Sequence, residues 1–475
     1  MAEGSRAGWL LDQQYFLIPF LCRYFFCAVL AASLLNFNKS TTAFQSSKRM
    51  NKLCQLPRYA TLRTLATKRC CTKPTPSSLQ MTSTDGGSYK TSLRNGQKEL
   101  FSLAPMMDYT DRHMRFLMRL LSKDMVLYTE MIASGTIVNN PENELGRWLD
   151  YSESCEHPVV LQLGGSDPGE LRRAAARAAP YRYDAVNLNC GCPSEKVAGK
   201  GCFGAALMRE AELVGDLCRG MAAELDCPVT VKSRIGVDDE DSYEGLCNFI
   251  ETVADRSPVR HFIVHARTAI LGGLSPAQNR QIPPLKYDYV YNLVKDYPEF
   301  QFTINGGITE YEEIREHLGR GVHGVMVGRA INADPYKWSQ VDELVYGAAN
   351  PGLTRREILE RYGEYCDEMV ELWGPRVRQT LKKHILNFFV GQRNGKKFRC
   401  AMDKLVRTEL PLSKVFSNAA EILTDETLDA KPGEKVVYPD SSFTSAENDN
   451  KELIKRQKEE RQHKEATLLG GSGFK

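Results

Sequence analysis

Short runs of β-branched and apolar residues alternate with helical patterns through the middle of the chain. Helix starts are recognisable at Pro168-Gly-Glu-Leu and at Thr309-Glu-Tyr-Glu, where typical first-turn residues precede apolar ones. Strand–helix alternation repeated eight times over about 240 residues predicts an α/β fold, a parallel (β/α)8 TIM barrel. The predicted strands are residues 101–106, 125–129, 159–163, 185–189, 228–232, 261–265, 301–305 and 324–327.

A chemically distinctive side chain lies at or just after the end of every predicted strand. Consecutive members of this set are 23 to 40 residues apart, in phase with the strands. Because all strands of a parallel barrel end on one face, these side chains are expected to meet there in an active site. Each one alone could equally be a helix cap or a hydrogen-bonded buried group, but the phase of the whole set favours a site. The set is Met107, Glu130, Gln162, Cys192, Lys232, His265, Asn305 and Arg329.

The residues after the barrel predict a separate helical domain. A linker rich in helix breakers, residues 346–352, is followed by apolar residues at helical spacing. The predicted organisation is a targeting presequence at 1–98, the barrel at 99–345, the helical domain at 353–428 and a charged, disordered tail at 429–475. The apolar residues at helical spacing are Leu359, Tyr362, Tyr365, Cys366, Met369 and Leu372.

Charge is distributed unevenly along the chain. Residues 1–98 contain 14 Lys and Arg against three acidic residues, whereas the remaining chain contains 48 basic and 56 acidic residues. Against this acidic background, residues 376–414 hold eleven Lys and Arg and only Asp403 and Glu409. Two interpretations stay open: a surface that grips phosphates, or a solvated helix face with a phenylalanine core. The phenylalanines in question are Phe388, Phe389 and Phe398.

The first hundred residues have the composition of a targeting segment. Residues 15–37 are mostly apolar and interrupted by Arg23, and residues 44–84 carry eight Lys and Arg, many Ser and Thr, and no acid. An apolar stretch followed by an acid-free basic tract is typical of an organelle address, and this order resembles plastid presequences of algae with complex plastids. A mitochondrial address, a cytoplasmic location, a transmembrane anchor and an incorrectly assigned chain start are the alternatives.

Cysteine spacing argues against a metal centre. The 14 cysteines include no CxxC pair, so zinc and iron–sulfur sites are not expected. Without a disulfide framework, a reducing compartment is the default.

Two glycine-containing strand ends predict a phosphate site. Asn305-Gly306-Gly307 follows the seventh strand and Gly328-Arg329 follows the eighth, and these two loops form the usual phosphate site of the fold. Glycines let backbone N–H groups approach an anion, and the arginine adds charge. A pair of ordinary glycine turns is the alternative. The segment at 319–324 matches GxGxxG but precedes a strand, so we interpret it as a helix stop and a turn.

A cysteine after the fourth strand is the candidate general acid. The segment Asn187-Leu-Asn-Cys-Gly-Cys-Pro-Ser194 places two cysteines there. A cysteine thiol in water is mostly protonated at neutral pH and can donate a proton. Strand alternation directs Cys190 away from the predicted site, so Cys192 is the candidate acid and Cys190 the candidate for a small buried apolar side chain. Asn189 could hold the edge of a substrate.

Several of these motifs occur in a specific combination. The Asn-x-Asn-x-Gly-Cys-Pro-Ser pattern at 187–194 occurs with Ala-Pro-Met-Met-Asp at 104–108 and with Leu-Ser-Pro and Asn-Arg at 274–280. Over roughly residues 100–399, the chain resembles the tRNA-dihydrouridine synthase family, and within it the bacterial A-type branch. The resemblance implies an FMN-dependent oxidoreductase, driven by NAD(P)H, that reduces the C5–C6 double bond of D-loop uridines of the 20/20a type in tRNA.

The resemblance also implies roles for individual residues. Cys192 would be the proton donor, and Asn189 would orient the substrate. The reductant would be NADPH and the partner tRNA. Apart from the resemblance, we expect a monomer that holds no metal and has no stable membrane association after processing. Ala277 and Lys396 depart from the residue types usual in the family. FMN would be bound by Pro105, Met106, Met107, Gln162, Lys232, His265, Asn305, Gly306, Gly307, Gly328 and Arg329, and tRNA by Lys196, Ala277, Arg280, Lys396 and Arg399.

Two other functions remain as alternatives. One is a small-molecule flavin oxidoreductase of the dihydroorotate dehydrogenase or ene-reductase type, against which the basic segment 376–414 argues. The other is an RNA chaperone that keeps the fold without catalysis, against which the intact Cys192, Lys232 and residues 305–307 argue.

Overall fold

The computed structural model describes residues 93–194 and 203–438, which form a parallel barrel followed by helices. The strands are β1 Phe101–Leu103, β2 Leu127–Ala133, β3 Val159–Gly164, β4 Ala185–Cys190, β5 Val229–Arg234, β6 His261–His265, β7 Gln301–Asn305 and β8 Gly324–Val327. They pair in the order β1-β8-β7-β6-β5-β4-β3-β2, and a bridge between Ser102 and Val126 brings β1 beside the start of β2. The predicted (β/α)8 barrel is confirmed.

Alternation along the strands gives the barrel wall an outer and an inner face. Outward residues such as Leu161 and Val231 share one apolar cluster with the surrounding helices. Inward residues, among them Tyr128 and Ile263, form a smaller cluster inside the barrel. Because successive side chains point to opposite faces, the polar residues at alternate positions near the strand ends also point inward. The sequence period therefore directs these polar side chains towards the face on which the strands end.

Side-chain caps define several helix starts. Asp111 accepts hydrogen bonds from the N–H groups of His113 and Met114, and Asp167 accepts one from Glu170. Such caps satisfy backbone donors that a helix start leaves without a partner. The α-helices are α1 Arg112–Leu121, α2 Ser134–Asn139, α3 Gly146–Leu149, α4 Pro168–Ala178, α5 Ala211–Ala222, α6 Tyr243–Arg256, α7 Tyr287–Asp296, α8 Tyr311–Gly319, α9 Arg329–Ala333, α10 Arg355–Trp373, α11 Arg378–Ile385, α12 Gly395–Leu405, α13 Leu412–Ala420 and α14 Asp425–Asp429.

The barrel begins before the predicted boundary at residue 98. Leu93 is buried in the inner cluster, and the N–H of Arg94 donates to the carbonyl of Asp184 at 2.9 Å. These contacts close the end of the barrel opposite the strand ends. Residues 93–98 therefore belong to the folded domain and not to the presequence.

Two predicted strand ends lie inside longer strands. The register of β2 shifts between Tyr128 and Met131, and the strand continues to Ala133, so Glu130 lies within it. β5 continues to Arg234, two residues beyond Lys232. In both cases the prediction ended the strand where the apolar residues give way to polar ones, although the backbone pairing continues beyond that point.

The helical domain has a phenylalanine core. It opens with a capping box in which Thr354 and Glu357 bond to each other's backbone N–H groups. Phe388, Phe389 and Phe398 are buried, and the Phe389 ring contacts the other two. The three phenylalanines of the basic segment thus belong to the core and do not form a surface for bases.

The packed chain continues past the predicted boundary at residue 428. α14 ends at Asp429, and the hydroxyl of Tyr438, a buried residue, lies 3.0 Å from that of Thr427. Three sets of predictions lie outside the described residues. They are those for most of the presequence (residues 1–92), for Lys196 (within residues 195–202) and for the rest of the tail (residues 439–475). Within the described part of the chain, no helix is both long and apolar enough to cross a membrane.

Candidate active site

Cys192 lies in a turn at the end of β4. The side-chain oxygen of Asn189 accepts hydrogen bonds from the N–H groups of Gly191, at 3.1 Å, and Cys192, at 3.0 Å. Cys192 is partly exposed, whereas Cys190 is buried in the outer cluster with Cys218. Burial raises the pKa of the Cys190 thiol well above its usual range. The two cysteines therefore occupy different environments: Cys190 has the outward position that the alternation predicted, and Cys192 lies in the turn beyond the strand.

A chain of side-chain amides crosses the inner wall from β3 to β5. Asn189 donates to the Gln162 oxygen at 2.8 Å, and Gln162 donates to the Asn187 oxygen at 2.8 Å. Asn187 in turn donates to the hydroxyl of Thr230 at 2.9 Å. Because each amide fixes the orientation of the next, the turn that carries Cys192 is positioned by the barrel wall itself.

Lys232 and Asn305 form a second polar pair. The Lys232 Nζ donates to the Asn305 side-chain oxygen at 3.1 Å, and the Asn305 amide donates to the Met326 carbonyl at 2.8 Å. Burial, and then the positive charge of Arg234, lower the pKa of Lys232 to about 7, against an opposing contribution from Cys192. An anion bound beside Lys232 would hold its amine in the charged form.

Arg234 lies near Lys232, and three further arginines lie near Arg234. Together we call these five residues the cationic cluster: Lys232, Arg234, Arg267, Arg280 and Arg329. Arg234 is 4% exposed, and its guanidinium donates to three carbonyl oxygens at 3.1–3.2 Å. Burial, and then Arg280, lower the pKa of Arg234 to about 10. Burial followed by Arg280 and Arg267 also lower the pKa of Arg329. The positive charges of the cluster repel one another, and a bound anion would relieve that repulsion.

His265 and two glycines lie beside this cluster. Burial, and then Arg234, hold the pKa of His265 well below its usual range, and its Nδ1 has no hydrogen-bond partner among the described residues. Gly306 and Gly307 have φ values of +118° and +77°, which favour glycine. A Cβ on Gly306 would lie 3.3 Å from the His265 ring. The loop after β7 thus leaves open a space bordered by cations.

The loop after β1 borders the same space. A Cβ on Gly328 would lie 3.3 Å from the Met106 sulfur. The Met106 N–H donates to the Thr110 hydroxyl at 3.0 Å, which fixes the turn after Pro105. Met107 is 56% exposed. Most of the side chains predicted at the strand ends thus surround one space, and the exposed Met107 lies at its rim.

The dihydrouridine synthase (Dus) family model matches residues 102–422, more than half of the chain. The chain belongs to the dihydrouridine synthase family. It is 46% identical over 299 residues to the tRNA-dihydrouridine(20/20a) synthase of Shewanella oneidensis, covering 63% of this chain and 86% of the relative. It is 42% identical over 326 residues to the enzymes of that name in Salmonella typhi and Escherichia coli strain K12, covering 69% of this chain and 96% and 92% of the relatives.

The residues suggested as RNA contacts of this dihydrouridine synthase lie in two regions. Arg280 is in the cationic cluster, where its carbonyl accepts a hydrogen bond from Arg329 at 2.9 Å, and Ala277 is exposed nearby. Lys396 and Arg399 are exposed on α12 of the helical domain. A ligand that touches both regions has to extend beyond the space at the strand ends.

Reasoning from the sequence missed Arg234, Asn187 and Thr230. The first two lie two residues from Lys232 and Asn189 on the same strands, so the period of two was the available signal. The contacts of Arg234 with the carbonyls of residues 191, 268 and 279 join segments far apart in the sequence, and no local pattern reveals them.

Proposed function

We propose that this protein uses FMN and NAD(P)H to reduce the C5–C6 double bond of D-loop uridines of the 20/20a type in tRNA. The observation that carries the proposal is the turn, held by Asn189, that presents Cys192 close to Lys232 and the cationic cluster. Family membership supports it, as do the names of the relatives from Shewanella oneidensis and Salmonella typhi.

The residues around the cationic cluster fit the phosphate of FMN. The arginines of the cluster repel one another, His265 has a buried nitrogen available, and Gly306 lets the backbone approach. Lys232 and Gln162 would lie against the ring, where a cation favours the reduced form. FMN, and not FAD, should be released when the protein is denatured, and a colourless protein that does not bind added FMN would contradict the assignment.

Proton transfer from Cys192 completes the proposed reaction. Bound reduced flavin would supply a hydride to C6 of the uracil. Cys192 transfers its thiol proton to C5, because the negative charge left on the ring has to be quenched. Asn189 orients the edge of the uracil, and the charged amine of Lys232 stabilises the thiolate that remains.

A comparison of oxidants tests the proposal against the small-molecule alternative. Protein reduced by NADPH without oxygen is mixed with unmodified tRNA, with orotate or with a simple enone, and flavin absorbance is followed. We expect rapid reoxidation by tRNA and slow reoxidation by the small molecules. The reverse order would favour a dihydroorotate dehydrogenase or ene-reductase type of activity.

We also propose a plastid location, with mitochondrion and cytoplasm as the alternatives. The apolar stretch at 15–37 and the acid-free basic tract at 44–84 support it, and both precede the region that matches the family. Residues 1–43 fused to a fluorescent reporter should enter the secretory route, and residues 1–98 should reach the plastid. Cytosolic fluorescence from the longer fusion would rule the proposal out.

A further inference from the structure

Large apolar side chains are exposed at few places on the barrel. Among its described residues they are Met107, Tyr109 and Ile282, with 56%, 40% and 48% of their surface exposed. All three lie in loops that follow strands on the Cys192 face, two after β1 and one after β6. Exposed apolar side chains grouped at the rim of a site indicate a contact with a ligand or partner.

Tyr109 lies where the barrel meets the helical domain. Lys383 of α11 donates from Nζ to the carbonyl of Asp108, and the same nitrogen lies 5.6 Å from the centre of the Tyr109 ring. The neighbouring Asp111 carboxylate lies 2.8 Å from Nε2 of His384, also of α11, and 3.7 Å from Nζ of Lys383. The Tyr109 ring is therefore held by its backbone and has a cation beside it, while much of its surface stays open.

Ile282 has a similar arrangement in the loop after β6. Arg267 donates to the carbonyls of Gln281 and Pro283, which fixes the backbone on both sides of Ile282. Arg280 of the cationic cluster lies two residues away. Both exposed apolar side chains thus stand next to cations, which suits an apolar ring carried on a polyanion better than an apolar protein surface.

An unpaired base of RNA is such a ring, because it has apolar faces and is attached to a chain of phosphates. A uridine that reaches Cys192 has to leave its stack, and the bases on either side of it lose a stacking partner. We propose that Tyr109 stacks on the base flanking the target uridine, that Ile282 packs against the base on the other side, and that Lys383 neutralises an adjacent phosphate. This inference rests on the proposed function and adds a subsite for the flanking nucleotides.

Affinity for tRNA tests the role of the ring. Tyr109→Leu should weaken tRNA binding about tenfold, the usual effect of removing one base–aromatic stack. Tyr109→Phe keeps the ring and should restore most of the affinity. The slope of log affinity against log salt should be the same in both variants, because stacking releases no counterions. Melting temperature and flavin content serve as the measures of folding.

An abasic nucleotide identifies the partner of the ring. With tRNAs abasic on one or the other side of the target uridine, the Tyr109→Leu defect should disappear for one side and persist for the other. A defect that persists with both abasic tRNAs, or wild-type affinity in Tyr109→Leu, would overturn the inference. Absence of tRNA binding by the wild-type protein would instead overturn the proposed function, so the two failures are distinguishable.

Discussion

Cys190 and Cys192 are separated by one residue and lie in different environments. Cys190 packs in the outer apolar cluster, where burial raises the pKa of its thiol, whereas Cys192 is partly exposed in the turn held by Asn189. The period of two along β4 predicted that Cys190 points outward, whereas Cys192 lies near Lys232 because the backbone turns after the strand ends at Cys190. It did not predict that Asn189 also bonds to Gln162, because that contact depends on how β3 and β4 are placed beside each other.

Replacing Cys192 separates the two halves of the proposed reaction. Cys192→Ala should leave FMN content and NADPH oxidation intact, because neither requires a proton at uracil C5. Reoxidation of the flavin by tRNA, followed by stopped-flow absorbance, should slow by roughly 10²-fold to 10⁴-fold, the usual contribution of a positioned general acid. Cys190→Ala is the matched control. It should lower the stability of the barrel through lost packing and leave the rate of reoxidation unchanged. A Cys192→Ala variant with wild-type reoxidation would assign the proton to another donor.

At the scale of single elements, the predicted phosphate site depends on the loop after β7. Gly307 has a φ of +77°, and a Cβ there would lie 2.6 Å from the Leu285 side chain. The sequence predicted the position of this loop from the strand count. It could not supply the packing of Leu285, which comes from the segment before α7.

Substitution in that loop should reduce flavin binding. Gly307→Ala has to strain the backbone and displace Leu285, so we expect purified protein with much less bound FMN and a weaker affinity in fluorescence titration. Gly319→Ala is the control, because a Cβ at the end of α8 meets nothing within 4 Å. Equal flavin content in Gly307→Ala and wild type would show that the loop does not contact the cofactor.

Helix α12 carries the basic residues assigned to RNA. Reversing the charges of Lys396 and Arg399 should weaken tRNA binding and lower its salt slope by about one for each phosphate that the variant no longer neutralises. Flavin reduction by NADPH should be unchanged. Arg315→Glu, on the exposed side of α8, is the control for a general change in charge. Binding assays over a range of salt concentrations check this, and an unaltered slope would place the RNA elsewhere.

The barrel as a whole contains a buried carboxyl at the end opposite the site. Glu99 accepts hydrogen bonds from the Tyr128 hydroxyl at 2.9 and 3.1 Å and is 2% exposed. Burial, opposed by the hydrogen bond from Tyr128, raises the pKa of Glu99 from 4.5 to about 7. The folded protein therefore binds a proton more tightly than the unfolded chain between these two pH values, and this contribution to stability falls as pH rises through them.

The pH dependence of stability tests this interpretation. Glu99→Gln cannot ionise, so its stability relative to wild type should increase from pH 4.5 to about 7 and then level off. The total gain should be on the order of 3 kcal/mol, from the size of the pKa shift. Glu312→Gln, at an exposed position, should show no such trend. The measurement is the melting temperature of the wild type and both variants at a series of pH values. If the melting temperatures of Glu99→Gln and wild type change in parallel with pH, the interpretation is wrong.

At the scale of the molecule, the sequence predicted the barrel, the helical domain and the face on which the polar strand ends meet. Strand count and polar strand ends were sufficient, because a parallel barrel brings all of its strand ends together. The cationic cluster was only partly predicted: Lys232 and Arg329 followed from their strands and Arg280 from the resemblance, whereas the place of Arg234 depends on contacts with segments far away in the sequence. Domain boundaries at residues 98 and 428 were placed inside packed segments, because Leu93 and Tyr438 are single buried residues without a pattern around them.

Nucleoside analysis of tRNA tests the central claim most directly. The protein is incubated with FMN, NADPH and tRNA that lacks dihydrouridine, and the tRNA is then digested and examined by mass spectrometry. The proposed function predicts a nucleoside heavier than uridine by two hydrogen atoms, which larger digestion fragments place in the D-loop and which forms far more slowly when Cys192 is replaced by alanine. Unchanged uridine in the presence of a flavin that NADPH reduces would contradict it.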